Sequence, residues 1–254
     1  MTKHQSCQSL ILFTVILFVA ATPIEAGTIS FFDGTFNNSN WNDTKILDPG
    51  GTASFTAFQV GSGGNPGSFQ QTNQTLNQTP IGVSHLNPGF TYNPAVQGAI
   101  TSINVSSDQI EFSPLAGFEV VYSILIFQNS TYYIAALDNL NQSSWTNFSF
   151  TGLTASDFTS AFNGFTLPGP GPAEPNFSST GAPIEFGFFS GNTSIGSLFN
   201  TSSGIDNLSI TLNTQSVPEP VSMMLLNVGL VTLTFMKRLC PRWAASQDRV
   251  QRMH

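Results

Sequence analysis

Positive charge is almost absent from the central part of this 254-residue sequence. The chain contains seven Lys and Arg residues, and Lys45 is the only one between residues 27 and 216. The same stretch holds eleven of the fourteen Asp and Glu residues, which gives it a net charge of about −10. A nucleic-acid groove needs cations for its phosphate contacts, so we expect no nucleic-acid partner.

Cysteine and histidine are also scarce. The two cysteines, Cys7 and Cys240, both lie outside the central part, which excludes a disulfide framework, thiolate catalysis and a thiolate metal site there. His85 is the only histidine between residues 27 and 216, and no second histidine is present to make a metal pair. It lies in a polar stretch without a visible Ser/His/Asp arrangement, so we expect a solvated loop side chain.

Long apolar runs occur only near the two ends of the chain. A basic start and the run Leu10 to Ala21 are followed by the small residue Ala26 and by Gly27. This order predicts a secretory signal peptide over residues 1–26, with a signal helix and cleavage after Ala26. A retained N-terminal anchor is the alternative, but the run is short for a membrane span and Pro23 interrupts it.

The second apolar run, residues 221–236, carries no charge and is interrupted by Asn227. As a helix it would be about 24 Å long, which is short for a transmembrane segment. We predict a single transmembrane helix there, with residues 243–254 as a cytoplasmic tail. Two prolines keep the preceding segment extended, and a basic cluster follows the run. The extended segment before the run and the basic cluster behind it consist of Val217, Pro218, Glu219, Pro220, Lys237, Arg238 and Arg242.

This order of parts, over residues 217–242, resembles the PEP-CTERM sorting signal of bacterial surface proteins. The resemblance implies an exosortase as partner, a membrane protease that cuts near the Pro-Glu-Pro. It also implies a transient hold in the inner membrane of a Gram-negative-type bacterium, and a final place at the cell surface or in the extracellular matrix. The alternative is an ordinary C-terminal anchor that begins with two prolines.

Short β-rich segments separated by turn residues fill residues 27–213, and residues 214–216 form a brief linker. This pattern predicts one all-β domain, an antiparallel jelly-roll-like β-sandwich. The strands that we predict are Thr28–Phe32, Ala53–Val60, Ser68–Gln71, Ala99–Ser106, Gln109–Phe112, Phe118–Phe127, Thr131–Leu137, Ser144–Leu153, Ile184–Phe189 and Ile205–Asn213.

Three stretches interrupt this strand pattern. Residues 72–87 are polar and are expected to form a loop. Thr154 and Asp157 fit a capping box, which predicts one or two helical turns over Ala155–Phe162. The proline-rich stretch Leu167–Pro183 cannot hold a helix or a sheet ladder, so it is expected to be a long surface loop.

The arrangement of Phe31 to Trp41, Asn65-Pro66-Gly67 and Gly204 to Leu208 resembles the laminin-G, concanavalin and carbohydrate-binding-module type of jelly roll. In such sandwiches the first and last strands are neighbours. The resemblance implies a fold, but a fold does not determine a function.

The same resemblance implies a candidate structural calcium at the start of the last strand. Asp206 would supply one ligand, and Asp33 or Asp43 near the first strand would supply another, because calcium prefers hard oxygen ligands. The alternative is that Asp206 and Asn207 only cap the beginning of that strand.

Carboxylate pairs are the remaining route to an enzyme, because glycoside hydrolysis needs two carboxylates across a cleft. Asp108 and Glu111 are close in sequence, and Glu119 lies on a predicted strand, but the Glu-X-Asp-X-X-Glu spacing of laminarinase-like enzymes is absent. We therefore predict a non-enzymatic protein. A secreted glycan-active hydrolase is the alternative.

Polarity comes mainly from Asn, Ser, Thr, Gln and Gly rather than from charge. Exposed aromatic rings flanked by amides and hydroxyls are suited to sugar binding. We therefore expect a structural or adhesive role in the extracellular matrix, with extracellular polysaccharide as a candidate partner. The candidate carbohydrate-binding residues are Trp41, Tyr92, Tyr132, Tyr133 and Trp145.

Overall fold

The computed structural model describes residues 26–112, 119–193 and 198–215. They all belong to one compact unit, Glu25–Ser216. The signal peptide and the sorting signal lie almost entirely outside the described residues, so the expectations for them remain predictions. Within the described ranges no helix is long and apolar enough to cross a membrane.

The described chain is almost entirely antiparallel β-structure, so the predicted fold class is confirmed. One short helix, α1 (Pro94–Gln97), and two 3-10 turns, Asn38–Asn40 and Ala155–Asp157, interrupt the strands. The strands are β1 (Ala26–Asp33), β2 (Asn42–Leu47), β3 (Ser54–Gly64), β4 (Gly67–Asn77), β5 (Ile81–Tyr92), β6 (Ile100–Glu111), β7 (Val120–Gln128), β8 (Thr131–Leu140), β9 (Thr146–Leu153), β10 (Ala161–Phe162), β11 (Phe165–Thr166), β12 (Ile184–Asn192) and β13 (Leu198–Gln215).

Two sheets form the sandwich. The six-stranded sheet has the order β3-β4-β13-β6-β9, and β1 pairs with the second half of β13. The five-stranded sheet has the order β2-β5-β12-β7-β8. Ala26 lies opposite Gln215 and Asp33 opposite Leu208, so the first and last strands are neighbours as predicted.

Alternating apolar residues build the core between the sheets. In β7, Val120, Tyr122, Ile124 and Ile126 point into the main core, as the sequence pattern predicted. They meet residues such as Ile210 of the six-stranded sheet, which is fully buried. Removing apolar surface from water stabilises such a core by about 25 cal/mol per Å².

A second apolar cluster covers the outer face of the five-stranded sheet. Leu125, Ile134 and Phe189 point away from the main core, and Phe162 of β10 and Leu167 pack on them. The rings of Phe162 and Phe189 are 5.0 Å apart in an edge-to-face arrangement. This face is therefore shielded from solvent, and the outer face of the six-stranded sheet is the more accessible one.

Four sequence predictions differ from the structure. Residues 72–87 contain the end of β4 and the first half of β5 rather than a loop, and several of their polar side chains, such as Thr72, Gln74 and His85, are buried. Ser107 and Asp108 continue β6 instead of bending it. β13 begins at Leu198, and the predicted helix stops after the 3-10 turn Ala155–Asp157.

The predicted capping box itself is present. The Asp157 carboxylate accepts hydrogen bonds from the Thr154 backbone N–H at 2.7 Å and from its hydroxyl at 2.8 Å. These bonds hold the pKa of Asp157 below its ordinary value. The turn is short because β10 begins at Ala161, so the chain enters the hairpin that covers the five-stranded sheet.

Candidate functional site

Uncharged hydroxyl and amide side chains cover most of the outer face of the six-stranded sheet. Cross-strand pairs place these residues side by side, as with Thr56, Asn73 and Ser202. We call this surface the hydroxyl–amide face. Its residues include Ser54, Thr56, Gln71, Asn73, Thr75, Ser106, Asn147, Ser149, Asn200, Ser202, Ser209 and Thr211.

Hydrogen bonds between neighbouring strands orient these side chains. Gln71 Nε2 donates to Ser202 Oγ at 2.9 Å, and Asn73 Nδ2 donates to Thr56 Oγ1 at 3.2 Å. Such bonds restrict the rotamers of the amides, while each group keeps further donor or acceptor capacity for a ligand.

An aromatic group crosses the same face. The Phe69 ring lies 5.6 Å from Phe112 and 5.2 Å from Trp145, and Trp145 Nε1 donates to the Gly63 carbonyl at 2.9 Å. A Cβ at Gly204 would stand 3.0 Å from the Phe69 ring, so the glycine allows this ring to lie close over β13.

Three phenylalanines of this surface are accessible to ligands, and one of them, Phe32 on β1, is 63% exposed. Phe112 is 43% exposed, and Phe58 is 37% exposed and lies opposite Gln71. Exposed aromatic rings beside amides and hydroxyls can stack on the apolar side of a sugar ring and hydrogen-bond its hydroxyl groups.

Two buried acids and the asparagines that donate hydrogen bonds to them form a cluster at one end of this face. The Asp206 carboxylate accepts hydrogen bonds from the backbone N–H groups of Asn65 at 2.6 Å and Asn207 at 2.7 Å. The Asp108 carboxylate accepts from the side chains of Asn147 and Asn207, both at 2.8 Å. Burial raises the pKa of Asp206 above its ordinary value, and the nearby charges of Asp108 and Asp33 raise it further.

The two acids predicted as alternative partners of Asp206 in a calcium site lie in different places. Asp33 lies near Asp206, but its carboxylate accepts from the Thr35 and Phe36 N–H groups and from Trp41 Nε1. Asp43 is on β2 in the other sheet, where it contacts His85, so its assignment was wrong. In the described part of the chain no group of three His, Cys, Asp or Glu could hold a metal ion.

Most of the predicted sugar-binding aromatics are unavailable. Trp41, Tyr92 and Tyr133 are buried in the main core, so their assignment as binding platforms was wrong. Tyr132 is half-buried against Phe127, with ring centroids 4.6 Å apart, at the covered face of the five-stranded sheet.

Trp145 is the one predicted aromatic that lies in the hydroxyl–amide face. Sequence reasoning missed its companions Phe58, Phe69 and Phe112. Their alternation with inward-facing residues in β3 and β4 was a usable signal for Phe58 and Phe69, but β4 is polar on both sides and hides the pattern.

His85 is not a solvated loop residue, which corrects the sequence prediction. It is fully buried in β5, with Nδ1 2.6 Å from Asp43 Oδ1 and Nε2 2.9 Å from Ser190 Oγ. Its ring stacks on Phe188 at 4.2 Å. The order of groups is that of a Ser/His/Asp arrangement, but Ser190 is also fully buried, so no substrate reaches its hydroxyl.

A small pocket lies between the sheets near β8 and β9. Phe148 and Phe150 form part of its wall, and Asp138 is the only carboxylate among the described residues that line it. Burial raises the pKa of Asp138. Because glycoside hydrolysis needs two carboxylates, this pocket does not support the hydrolase alternative.

No family model and no curated protein matches the sequence. Among solved structures, the chain is similar to a protein of unknown function from Shewanella oneidensis MR-1, with 12% identity and a TM-score of 0.40 over 82% of this chain and 96% of that one. It is also similar to a carbohydrate-binding module with specific mannan recognition, with 11% identity and a TM-score of 0.38 over 75% of this chain and 99% of that one.

A third similar structure contains the CBM22-1 and GH10 modules of endo-1,4-beta-D-xylanase 10B from Clostridium thermocellum. The identity is 14% and the TM-score 0.36, over 70% of this chain. This chain spans 27% of the length of that one. Similarity at this level carries no argument about ligands, so the function must be argued from the residues of the chain itself.

Proposed function

We propose that this protein is an exported, non-enzymatic surface protein that binds neutral extracellular polysaccharide on its hydroxyl–amide face. The observation that carries the proposal is the aromatic group, with Phe58 and Phe112 exposed among oriented amides and hydroxyls. Such a surface offers stacking and hydrogen bonding without charge.

Charge favours a neutral polymer over an acidic one. The aromatic group and its polar neighbours contain no Lys or Arg, and residues 27–216 carry a net charge of about −10. An acidic polysaccharide would be repelled by this charge, while a neutral chain would not.

The route to the matrix is proposed on sequence features alone. Residues 1–26 direct export. An exosortase then recognises the C-terminal signal, which consists of the Pro-Glu-Pro, the apolar run 221–236 and the basic cluster behind it. The protein is then held for a time in the inner membrane before it reaches the cell surface or the extracellular matrix.

Affinity electrophoresis of the exported protein through gels that contain a mannan, a galactan or a β-glucan tests the binding proposal. We expect retardation on at least one of them, and about fivefold weaker binding for Phe112→Ala and for Phe58→Ala, because each loses a stacking surface. Phe32→Ala is the matched control, since Phe32 is 63% exposed on the same face but lies on β1, beside Ser209, and not on the strands that carry Phe58 and Phe69.

Unchanged migration of the unaltered protein on every neutral polysaccharide would overturn the binding proposal. Equal losses in Phe32→Ala and Phe112→Ala would show that the aromatic group is not the site.

The sorting proposal has a separate test. We expect Glu219→Ala to leave the domain folded but retained in the membrane, because the processing enzyme no longer reads the Pro-Glu-Pro. Mass spectrometry of the C-terminus of the released protein measures the cut directly. Normal release of the variant, or a released protein with an intact C-terminus, would contradict this proposal.

A further inference from the structure

Glu111 is a fully buried carboxylate without a hydrogen-bond partner. It is 0% exposed, and neither Oε1 nor Oε2 contacts a donor among the described residues. An unpaired charge in a protein interior is costly, and each such group requires an explanation. An unaccounted partner outside the chain is one such explanation.

The described part of the chain has no cation to spare for Glu111. Lys45 is the only Lys or Arg in it, and its ammonium lies 2.5 Å from Asp48. His85 is already held between Asp43 and Ser190. Glu119 lies near enough for its charge to act on Glu111, so the local field is more negative still.

Further oxygen atoms without partners lie on the same inner face of the six-stranded sheet. Thr72 Oγ1, Gln74 Oε1 and Thr201 Oγ1 are buried and unpaired among the described residues. In register, Ser203 of β13 lies between Glu111 of β6 and Thr72 of β4, and the next inward pair along β13 is Thr201 with Gln74. Neighbouring strands are about 4.8 Å apart, so these side chains share one small region of the interior.

The opposite sheet closes this region. The Tyr122 hydroxyl lies 2.9 Å from Ser203 Oγ, and the Glu111 charge contributes to raising the pKa of Tyr122. Tyr122 therefore places the Ser203 hydroxyl and the Glu111 carboxylate on the inner side of the sandwich, facing the five-stranded sheet.

The unpaired atoms of Glu111, Thr72, Gln74 and Thr201 are all oxygens: one carboxylate, one amide carbonyl and two hydroxyls. Calcium takes six to eight oxygen ligands at about 2.3–2.6 Å, with mixed carboxylate and carbonyl donors, in flexible geometry. Zinc prefers nitrogen and sulfur ligands, and magnesium keeps several waters, so neither fits this set as well.

We propose that Glu111, Thr72, Gln74 and Thr201 form an internal calcium site that ties β4, β6 and β13 together. This site is separate from Asp33, Asp43 and Asp206, and it does not depend on polysaccharide binding. It contains fewer than three acids because amide and hydroxyl oxygens supply the remaining ligands.

A proton and a cation compete for the Glu111 oxygens. Burial raises the pKa of Glu111 to about 7, and the Glu119 charge adds to the effect. Without a cation the carboxyl group holds a proton near neutral pH, and calcium binding releases it.

The test is calorimetric titration of the chelator-treated protein with calcium at pH 7.5, together with thermal melts. We expect one equivalent to bind, the melting temperature to rise and the affinity to fall at least tenfold in Glu111→Gln. Thr201→Val keeps every charge and is expected to weaken calcium binding by a smaller factor. Glu185→Gln is the matched control, because Glu185 is a half-buried acid on β12 of the other sheet.

Melts of each variant in chelator show whether it folds. Glu111→Gln is expected to fold at least as well as the parent there, because the amide carries no buried charge. Absence of calcium binding by the parent would mean that internal water only fills the site and would overturn the proposal. Equal calcium affinity in Glu111→Gln and the parent would overturn it as well.

Discussion

The two halves of β13 face the same interior but bury opposite chemistry. Its first half points Thr201 and Ser203 inward, and its second half points Leu208, Ile210 and Leu212 inward. A register irregularity between Asp206 and Ser209 separates them. β12 repeats the contrast, since Phe186 and Phe188 in its first half are followed by the buried residues Ser190 and Asn192.

This contrast shows two ways to hold a sandwich together. The apolar half is stabilised by buried area, which is non-directional. The polar half depends on specific partners, such as Ser190 with His85 and Tyr122 with Ser203. A one-residue slip would expose the side chains of either half, but only in the polar half would it also leave buried groups unpaired.

The polar half also lies beneath the proposed binding surface. Gln71 and Asn73 of β4 belong to the hydroxyl–amide face, while Thr72 and Gln74 of the same strand are buried. The strand is therefore polar on both sides. The outward amides are oriented by their own cross-strand hydrogen bonds, such as that from Gln71 to Ser202.

The largest expected effect lies in the apolar half. Phe186→Ala removes a fully buried ring and leaves a cavity, so we expect the free energy of unfolding to fall by about 4 kcal/mol. Denaturant unfolding followed by far-UV circular dichroism measures it. Phe58→Ala, on the open face, is the control and should cost less than about 0.5 kcal/mol. Similar losses of unfolding free energy in the two variants would contradict the conclusion that buried apolar area stabilises this half.

The next effect is a pH dependence from the polar half. In chelator, the folded state keeps the Glu111 proton between its ordinary pKa and the raised value of about 7, while the unfolded state releases it. Stability therefore falls as the pH rises through this window, by up to about 3 kcal/mol. Unfolding curves from pH 4 to pH 8 measure it.

Glu111→Gln isolates this contribution, because other half-buried acids such as Asp138 and Glu185 respond in the same direction. The free energy of unfolding of the variant should fall less steeply with pH than that of the parent. The difference between the two curves is the contribution of Glu111. Parallel curves for both proteins would show that Glu111 titrates normally.

A smaller effect is expected from the His85 network. Ser190→Ala leaves His85 Nε2 and Gln74 Nε2 without their hydroxyl partner, which we expect to cost about 1.5 kcal/mol. Ser149→Ala on the exposed outer face is the matched control, with an expected cost below about 0.5 kcal/mol. A loss in the control as large as in Ser190→Ala would mean that burial does not decide how much a serine hydroxyl stabilises this domain.

Regular alternation predicted the apolar half well and the polar half poorly. β7 was predicted correctly, because Val120, Tyr122, Ile124 and Ile126 repeat with a period of two. β5 was missed, because His85 and Ser84 interrupt any apolar pattern although both are buried. A polar residue in a strand is read as exposed until its partner is known, and that partner is distant in sequence.

The candidate site was predicted in kind but not in place. The excess of amides and hydroxyls over charges indicated a sugar-compatible surface, and Trp145 was among the residues named for it. Trp41 was placed wrongly, because its ring stacks on Phe36 and its Nε1 donates to Asp33 in the interior. In a sequence, an aromatic residue fits a core position as well as a binding surface. Only its neighbours in the folded structure distinguish the two roles.

The sequence by itself determined that the domain is an all-β sandwich and that almost no cation is available inside it. Spacing of turn residues and the position of Lys45 are sufficient for both conclusions. Tertiary structure alone decided which outer face is open and where Glu111 lies. Alternation defines two faces of a strand, but the hairpin that covers one sheet and the strands that enclose a carboxylate come from distant parts of the chain.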